Sequence, residues 1–206
     1  MPKLTKVDDF YSAVNNNYYI FSSDGIPSIY DDMLRAIDDI NENGKYDYLV
    51  ICLDAEEISL EERQKEIFEV LNVNGVSLEK AKLEIFVQNC CLETWFLGNR
   101  KVYSRNIQNH HEFLKYARFY NVSLYDPELM KKPKGYEYSI AYYHLKYLKA
   151  MFQARNISYS KNNSKEVQSE AYLEELKKRL STESNHLNSL RCFVDFCAEI
   201  KNVIDL

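Results

Sequence analysis

No apolar run in this chain approaches the roughly 18 consecutive residues of a membrane span, so no membrane partner is expected. The first residues, Met1-Pro2-Lys3-Leu4-Thr5-Lys6, lack the apolar centre of a secretory signal, and cytoplasmic residence is the expectation. No Cys-x-x-Cys occurs among the five cysteines, and the four histidines (His110, His111, His144, His186) show no His-Glu-x-x-His spacing. A zinc cluster is therefore not expected. Cys52 lies in an apolar run, Cys90 and Cys91 are adjacent and poorly placed to share a disulfide, and Cys192 and Cys197 read as small core residues of a helix. Internal repeats and low-complexity tracts are absent as well, which leaves an ordinary globular chain.

Its 206 residues, 46% apolar and 28% charged, suffice for one domain, or for one domain with a helical annex. Charge is distributed unevenly. Residues 1–99 carry 19 acidic against 8 basic side chains, a balance of −11, whereas residues 100–155 carry 4 acidic against 11 basic, a balance of +7. An acidic first half beside a basic middle suits a cation site next to a surface for a polyanion, although two differently charged solvated faces would read the same way.

Periodicity places the elements. Asn17 to Phe21 reads as a short strand ended by the turn Ser22-Ser23-Asp24-Gly25. Ile29, Met33, Leu34, Ile37 and Ile40 recur at helical spacing up to Asn43-Gly44. Tyr46 to Leu53 is a second strand, and Ser59-Leu60-Glu61-Glu62 is a capping box that opens a helix to about Leu71. Lys82 to Gln88 forms a third strand, after which Asn89 to Leu97 turns into a helix with Trp95, Phe96 and Leu97 in the core. Beyond Ile107 the pattern is helical, with a polar loop at Ser158 to Ser164 and final helices near 165–181 and 184–204. Strands alternating with helices predict an α/β fold with a mainly parallel sheet, in which sites gather beyond the carboxyl ends of strands. Asp24, Asp54, Glu56 and Glu93 all fall at or just after such ends. In Asp54-Ala55-Glu56 the alternation points both carboxylates to one side of an extended segment, which suits a hard cation.

An acid-Gly after the first strand, then a helix, then a strand ending in acid-x-acid, resembles a Toprim domain. Topoisomerases, primases and the overcoming-lysogenization-defect nucleases share that domain. Asp24-Gly25 stands where its Glu-Gly is usual, and Asp54-Ala55-Glu56 stands for its Asp-x-Asp. The segment Asn89-Cys90-Cys91-Leu92-Glu93-Thr94-Trp95-Phe96-Leu97 resembles the Asn-Pro-Cys-Phe-Glu-x-Trp-Leu-Leu motif of RloB-like proteins, small Toprim relatives from phage-defence loci, with Cys90 in place of proline. The resemblance implies a Toprim-like sheet flanked by helices over residues 1–100 and a helical extension, 101–206, packing on it. It also implies a Mg²⁺- or Mn²⁺-dependent nuclease acting in anti-phage defence, with a partner ATPase or other defence-system subunit. Asp54, Glu56 and Asp24 would then hold the metal, with Glu93 joining them in catalysis and either Glu56 or Glu57 as the outer ligand.

The basic middle holds ten tyrosines between residues 101 and 160. Lys131, Lys132, Lys134, Lys146 and Lys149 interleave with several of them, which is what a nucleic-acid surface needs. Half-buried core is the competing reading of so many tyrosines. Two further classes fit the same residues. One is a non-catalytic binding protein on this fold, engaging a partner protein or nucleic acid. The other is a phosphotransfer or phosphatase domain modified at Asp54.

Overall fold

The computed structural model describes residues 4–103 and 107–204. Its elements are β1 (Thr5–Val7), β2 (Asn17–Tyr19), α1 (Ser28–Asn43), β3 (Tyr48–Asp54), α2 (Leu60–Asn74), β4 (Lys82–Gln88), α3 (Leu92–Phe96), α4 (His111–Phe119), α5 (Ile140–Gln153), α6 (Glu170–Thr182) and α7 (Asn188–Ile204). The fold is mixed α/β, with seven α-helices and two parallel two-stranded sheets among the described residues. β2 pairs with β1, and β3 pairs with β4. Among the described residues the strands thus pair two by two, where the sequence leads one to expect a single mainly parallel sheet.

The chain divides into two compact units that interleave along the sequence. The first comprises residues 1–53, 60–87 and 192–206. Its core follows the two periodicities read from the sequence. β3 alternates, burying Leu49, Ile51 and Leu53, while α1 buries Met33, Ala36, Ile37 and Ile40 along one stripe. α1 ends where Gly44, at φ 66°, donates its amide to the Ile40 carbonyl. Ile67 and Leu71 add the buried face of α2. From the distal part of α7, Phe193 and Phe196 set their rings 5.3 and 5.1 Å from that of Phe86 on β4, and Phe196 also meets Tyr48 at 5.5 Å. β2 stops at Tyr19, short of the expected Phe21, because β1 offers it only three partners.

The second unit comprises residues 54–59 and 88–191. α5 runs through its centre, with Tyr147, Leu148, Met151 and Phe152 fully buried. Aromatic rings surround it: Tyr116 stacks on Tyr147 at 5.1 Å, and Phe152 stacks on Tyr159 at 5.4 Å and on Tyr172 at 6.0 Å. Buried tyrosine hydroxyls need acceptors, and they find carbonyls: Tyr147 donates to Tyr120 (2.8 Å), Tyr172 to Phe96 (2.7 Å) and Tyr120 to Asp126 (2.7 Å). α6 begins at Glu170 rather than near 165, because the Ser169 hydroxyl caps it by accepting from the Tyr172 amide. α7 begins at Asn188 rather than near 184, since Leu187 adopts φ 53°, which no helix can continue through.

Arg179 of α6 is a polar hub in this interior. Its guanidinium is buried and donates to the carbonyls of Gly98 (3.1 Å), Val122 (2.8 Å) and Tyr125 (2.8 Å), tying two loops together. Gly98 has no room for a side chain, because an added Cβ would collide with Leu187 and the Trp95 carbonyl. Arg179→Ala strands the three carbonyls, and urea unfolding is expected to show a loss of about 3–5 kcal/mol. Arg179→Lys, which keeps the charge but not the planar fork, should restore less than half of it.

Candidate active site at the end of β3

β3 carries apolar side chains inward until Asp54, and there the alternation ends. Ala55 is buried and its amide donates to the Gln88 carbonyl at 3.0 Å, the last rung between the two strand ends. Glu56 then turns into the left-handed region, at φ 56°, and donates its amide to the Cys90 carbonyl at 2.7 Å. Cys90 is itself left-handed, at φ 68°. Two non-glycine residues in sparsely populated backbone, bonded to each other, each cost on the order of 1–3 kcal/mol. The extended Asp-x-Glu geometry expected from the sequence is therefore absent, because Glu56 leaves the extended region and its side chain is exposed.

Glu93 supplies the second carboxylate instead. It sits in the first turn of α3, only 5% exposed. Asp54 accepts the Leu92 amide at 3.1 Å through Oδ1, leaving Oδ2 for another partner. Burial pushes the Asp54 carboxyl up to about 6, and the negative charge of Glu93 pushes in the same direction. The Leu92 amide and the charge of Lys161 oppose them, and Glu56 contributes least. Tyr159 feels the same neighbourhood: burial and then Glu93 hold its hydroxyl above the usual range. Tyr159 and Lys161 lie in the loop around the bridge between Ser160 and Asn163. Sequence reasoning missed both, since neither belongs to a motif or a periodic stripe.

Glu57, the other candidate for the outer ligand, has a structural partner. Its Oε1 accepts the Ile140 amide at the start of α5 at 2.8 Å and pairs with Lys132 at 3.3 Å. The amide bond, more than the lysine, holds its carboxyl below the usual range. Asp24 belongs to the first unit, exposed on the turn where Gly25, at φ 80°, leads into α1. Asp54, Glu56 and Glu93 belong to the second unit.

The predicted nucleic-acid lysines also lie in the second unit. Lys131 and Lys134 are exposed in the loop before α5, and Lys132 bridges Glu57 and the Tyr138 carbonyl. Lys146 lies over the Tyr142 ring, 5.3 Å from its centre, and Lys149 is half-buried on α5.

Behind Glu93 lies a second polar cluster that no sequence spacing signals. Cys90, Cys91 and His144 are buried, with one ligand atom of each within 4.8 Å of the others. His144 Nε2 faces the Met130 carbonyl at 3.2 Å, so it must carry the proton, and Nδ1 accepts from the Thr94 hydroxyl at 2.7 Å. The Thr94 oxygen in turn lies 3.5 Å from Cys91 Sγ. Both ring nitrogens are engaged, which makes the cluster a satisfied core network joining α3 to α5. The Cys91 thiol's hydrogen bond to Cys90, reinforced by burial, pushes it up, so it stays protonated and unreactive at neutral pH.

The chain matches no family model, no curated protein and no solved structure.

Asp54 titrates at about 6 when folded, above the roughly 3.9 of an unfolded aspartate, so protonation of the folded state adds stability. That contribution is fully present below pH about 4 and is lost as pH rises through about 6. Asp54→Asn keeps the acceptor for Leu92 without the buried charge. In thermal melts it should exceed the native chain in stability by on the order of 2 kcal/mol at pH 8, with the gain fading to nothing near pH 4.

Proposed function

We propose that the chain is a metal-dependent nuclease, cutting phosphodiesters at Asp54 and Glu93 in the manner of Toprim-like proteins. The observation that carries this reading is the pair itself. Burial and then the charge of the buried Glu93 raise the half-buried Asp54 carboxyl at a strand's carboxyl end, and a divalent cation is the natural relief. Oxygen donors suit Mg²⁺ or Mn²⁺, and Asp54 has one oxygen fixed by Leu92 and the other available. The metal, when bound, would polarise a phosphoryl oxygen and lower the pKa of a bound water. The chain's part is to hold the carboxylates rigid through α3 and to bring the positive charge of Lys161 toward the departing phosphate. Glu56 is an outer ligand in this proposal. The setting in anti-phage defence, with a partner subunit, is supported by the resemblance of Asn89 to Leu97 to the RloB-like motif.

A non-catalytic binding protein on the same fold is the second reading. Glu57 favours it, because one carboxylate of the acidic segment is committed to holding α5 rather than to a cation.

Metal titration separates the two readings. Mn²⁺ should bind the native chain, raise its melting temperature and support cleavage of a labelled oligonucleotide. Asp54→Asn combined with Glu93→Gln should abolish the thermal shift and lower cleavage at least 100-fold while the chain stays folded. Ion binding unchanged by both substitutions would sink the nuclease reading.

A further inference from the structure

Among the tyrosines of the second unit Tyr125, Tyr138 and Tyr142 are exposed, and the last two lie side by side. Tyr138 is 57% exposed and Tyr142 is 36% exposed, large values for aromatic rings on an ordered helix start. Their centres are 4.9 Å apart at a tilt of 42°, and Tyr136 abuts Tyr138 at 5.9 Å. Lys146 lies against the Tyr142 ring, and Lys132 holds the Tyr138 carbonyl at 3.0 Å. The group is thus an ordered aromatic shelf with cations at its margin.

We propose that this shelf, Tyr138 and Tyr142 flanked by Lys132 and Lys146, binds single-stranded nucleic acid by stacking unpaired bases on the exposed rings. The proposal rests on the nuclease reading and names its substrate class. Charge selects the occupant. Between residues 115 and 149 there are seven Lys and Arg side chains against three acids: Asp126 is buried, Glu128 is bonded to Ser189 and Glu137 is exposed, while Glu57 from outside this stretch pairs with Lys132. A basic surface with exposed rings offers phosphates their counter-ions and bases a stacking partner. Bases in a duplex are already stacked on each other and present only their edges, so the rings discriminate in favour of single strands.

The shelf is also fixed relative to the acidic pair. Glu57 follows Asp54 by three residues, which limits their Cα separation to about 11 Å, and its carboxylate anchors the Ile140 amide between the two tyrosines. A strand lying across the rings therefore passes the carboxylates at a distance set by Glu57, not by a flexible loop.

Fluorescence anisotropy on the full chain in EDTA tests this, with a labelled 20-nucleotide single-stranded DNA, the matching RNA and the blunt duplex as probes. The native chain is expected to bind one or both single strands at least 10-fold tighter than the duplex. Tyr138→Ala with Tyr142→Ala should weaken single-strand binding about 10–100-fold and leave duplex binding within twofold, at 1–3 kcal/mol per stacked base. Tyr138→Phe with Tyr142→Phe should bind as the native chain does. Tyr138→Ala alone, whose ring is mostly in solvent, should give part of the loss in a chain of unaltered melting temperature. Equal affinity for single strands and duplex, or full single-strand binding by that single variant and the double alanine variant, would overturn the proposal. Cleavage with Mn²⁺, measured in parallel, keeps the two readings apart. Single-strand binding without cleavage upholds the shelf and ends the nuclease reading, whereas cleavage without strand preference does the reverse.

Discussion

Two backbone hydrogen bonds, from Ala55 to Gln88 and from Glu56 to Cys90, decide what the acidic segment can do. The first closes the ladder between the ends of β3 and β4. The second forces both of its residues into left-handed backbone, so the chain turns sharply just where an extended strand would have carried Glu56 forward. Everything nearby follows from that turn. Asp54 is left to face the start of α3 and its Glu93, and Glu57 is swung onto the first amide of α5. A less constrained loop would scatter these carboxylates into solvent, where their charges would cost nothing and hold nothing.

The apolar patterns were legible because burial imposes them. β3 and α1 alternate at the periods of strand and helix, and the structure finds them where those periods lie. Backbone excursions at Glu56, Cys90 and Leu187 were not legible, since none of the three is a residue type that announces a positive φ. They account for the misjudged geometry of Asp-x-Glu and for the late start of α7. The tyrosines divide along a line no composition reveals. Tyr147 and Tyr172 bury their rings and spend their hydroxyls on carbonyls, while Tyr138 and Tyr142 leave theirs in solvent. Lys161 was unreadable for a different reason: it meets Asp54 only through a loop far along the chain.

Polar groups do as much as apolar ones to give the second unit a single arrangement. Arg179 satisfies three carbonyls, Trp95 donates to Ser189 at 2.7 Å, and Ser189 donates to Glu128 at 2.6 Å. Such bonds are directional, so a slipped helix would leave them unmade at greater cost than the apolar contacts it might keep. The acidic pair inherits this rigidity through α3, which carries Trp95 as well as Glu93.

The five cysteines form no disulfide, and they differ in access: Cys52, Cys192 and Cys197 are exposed, whereas Cys90 and Cys91 are buried at the turn that shapes the acidic site. An alkylating reagent therefore meets thiols of differing access, with burial holding the Cys52 thiol up to about 11 and Cys90 and Cys91 reached only when that turn opens. The slow pair is a built-in clock for local opening at Glu56 and Glu93, and its rate measures how firmly the carboxylates are held.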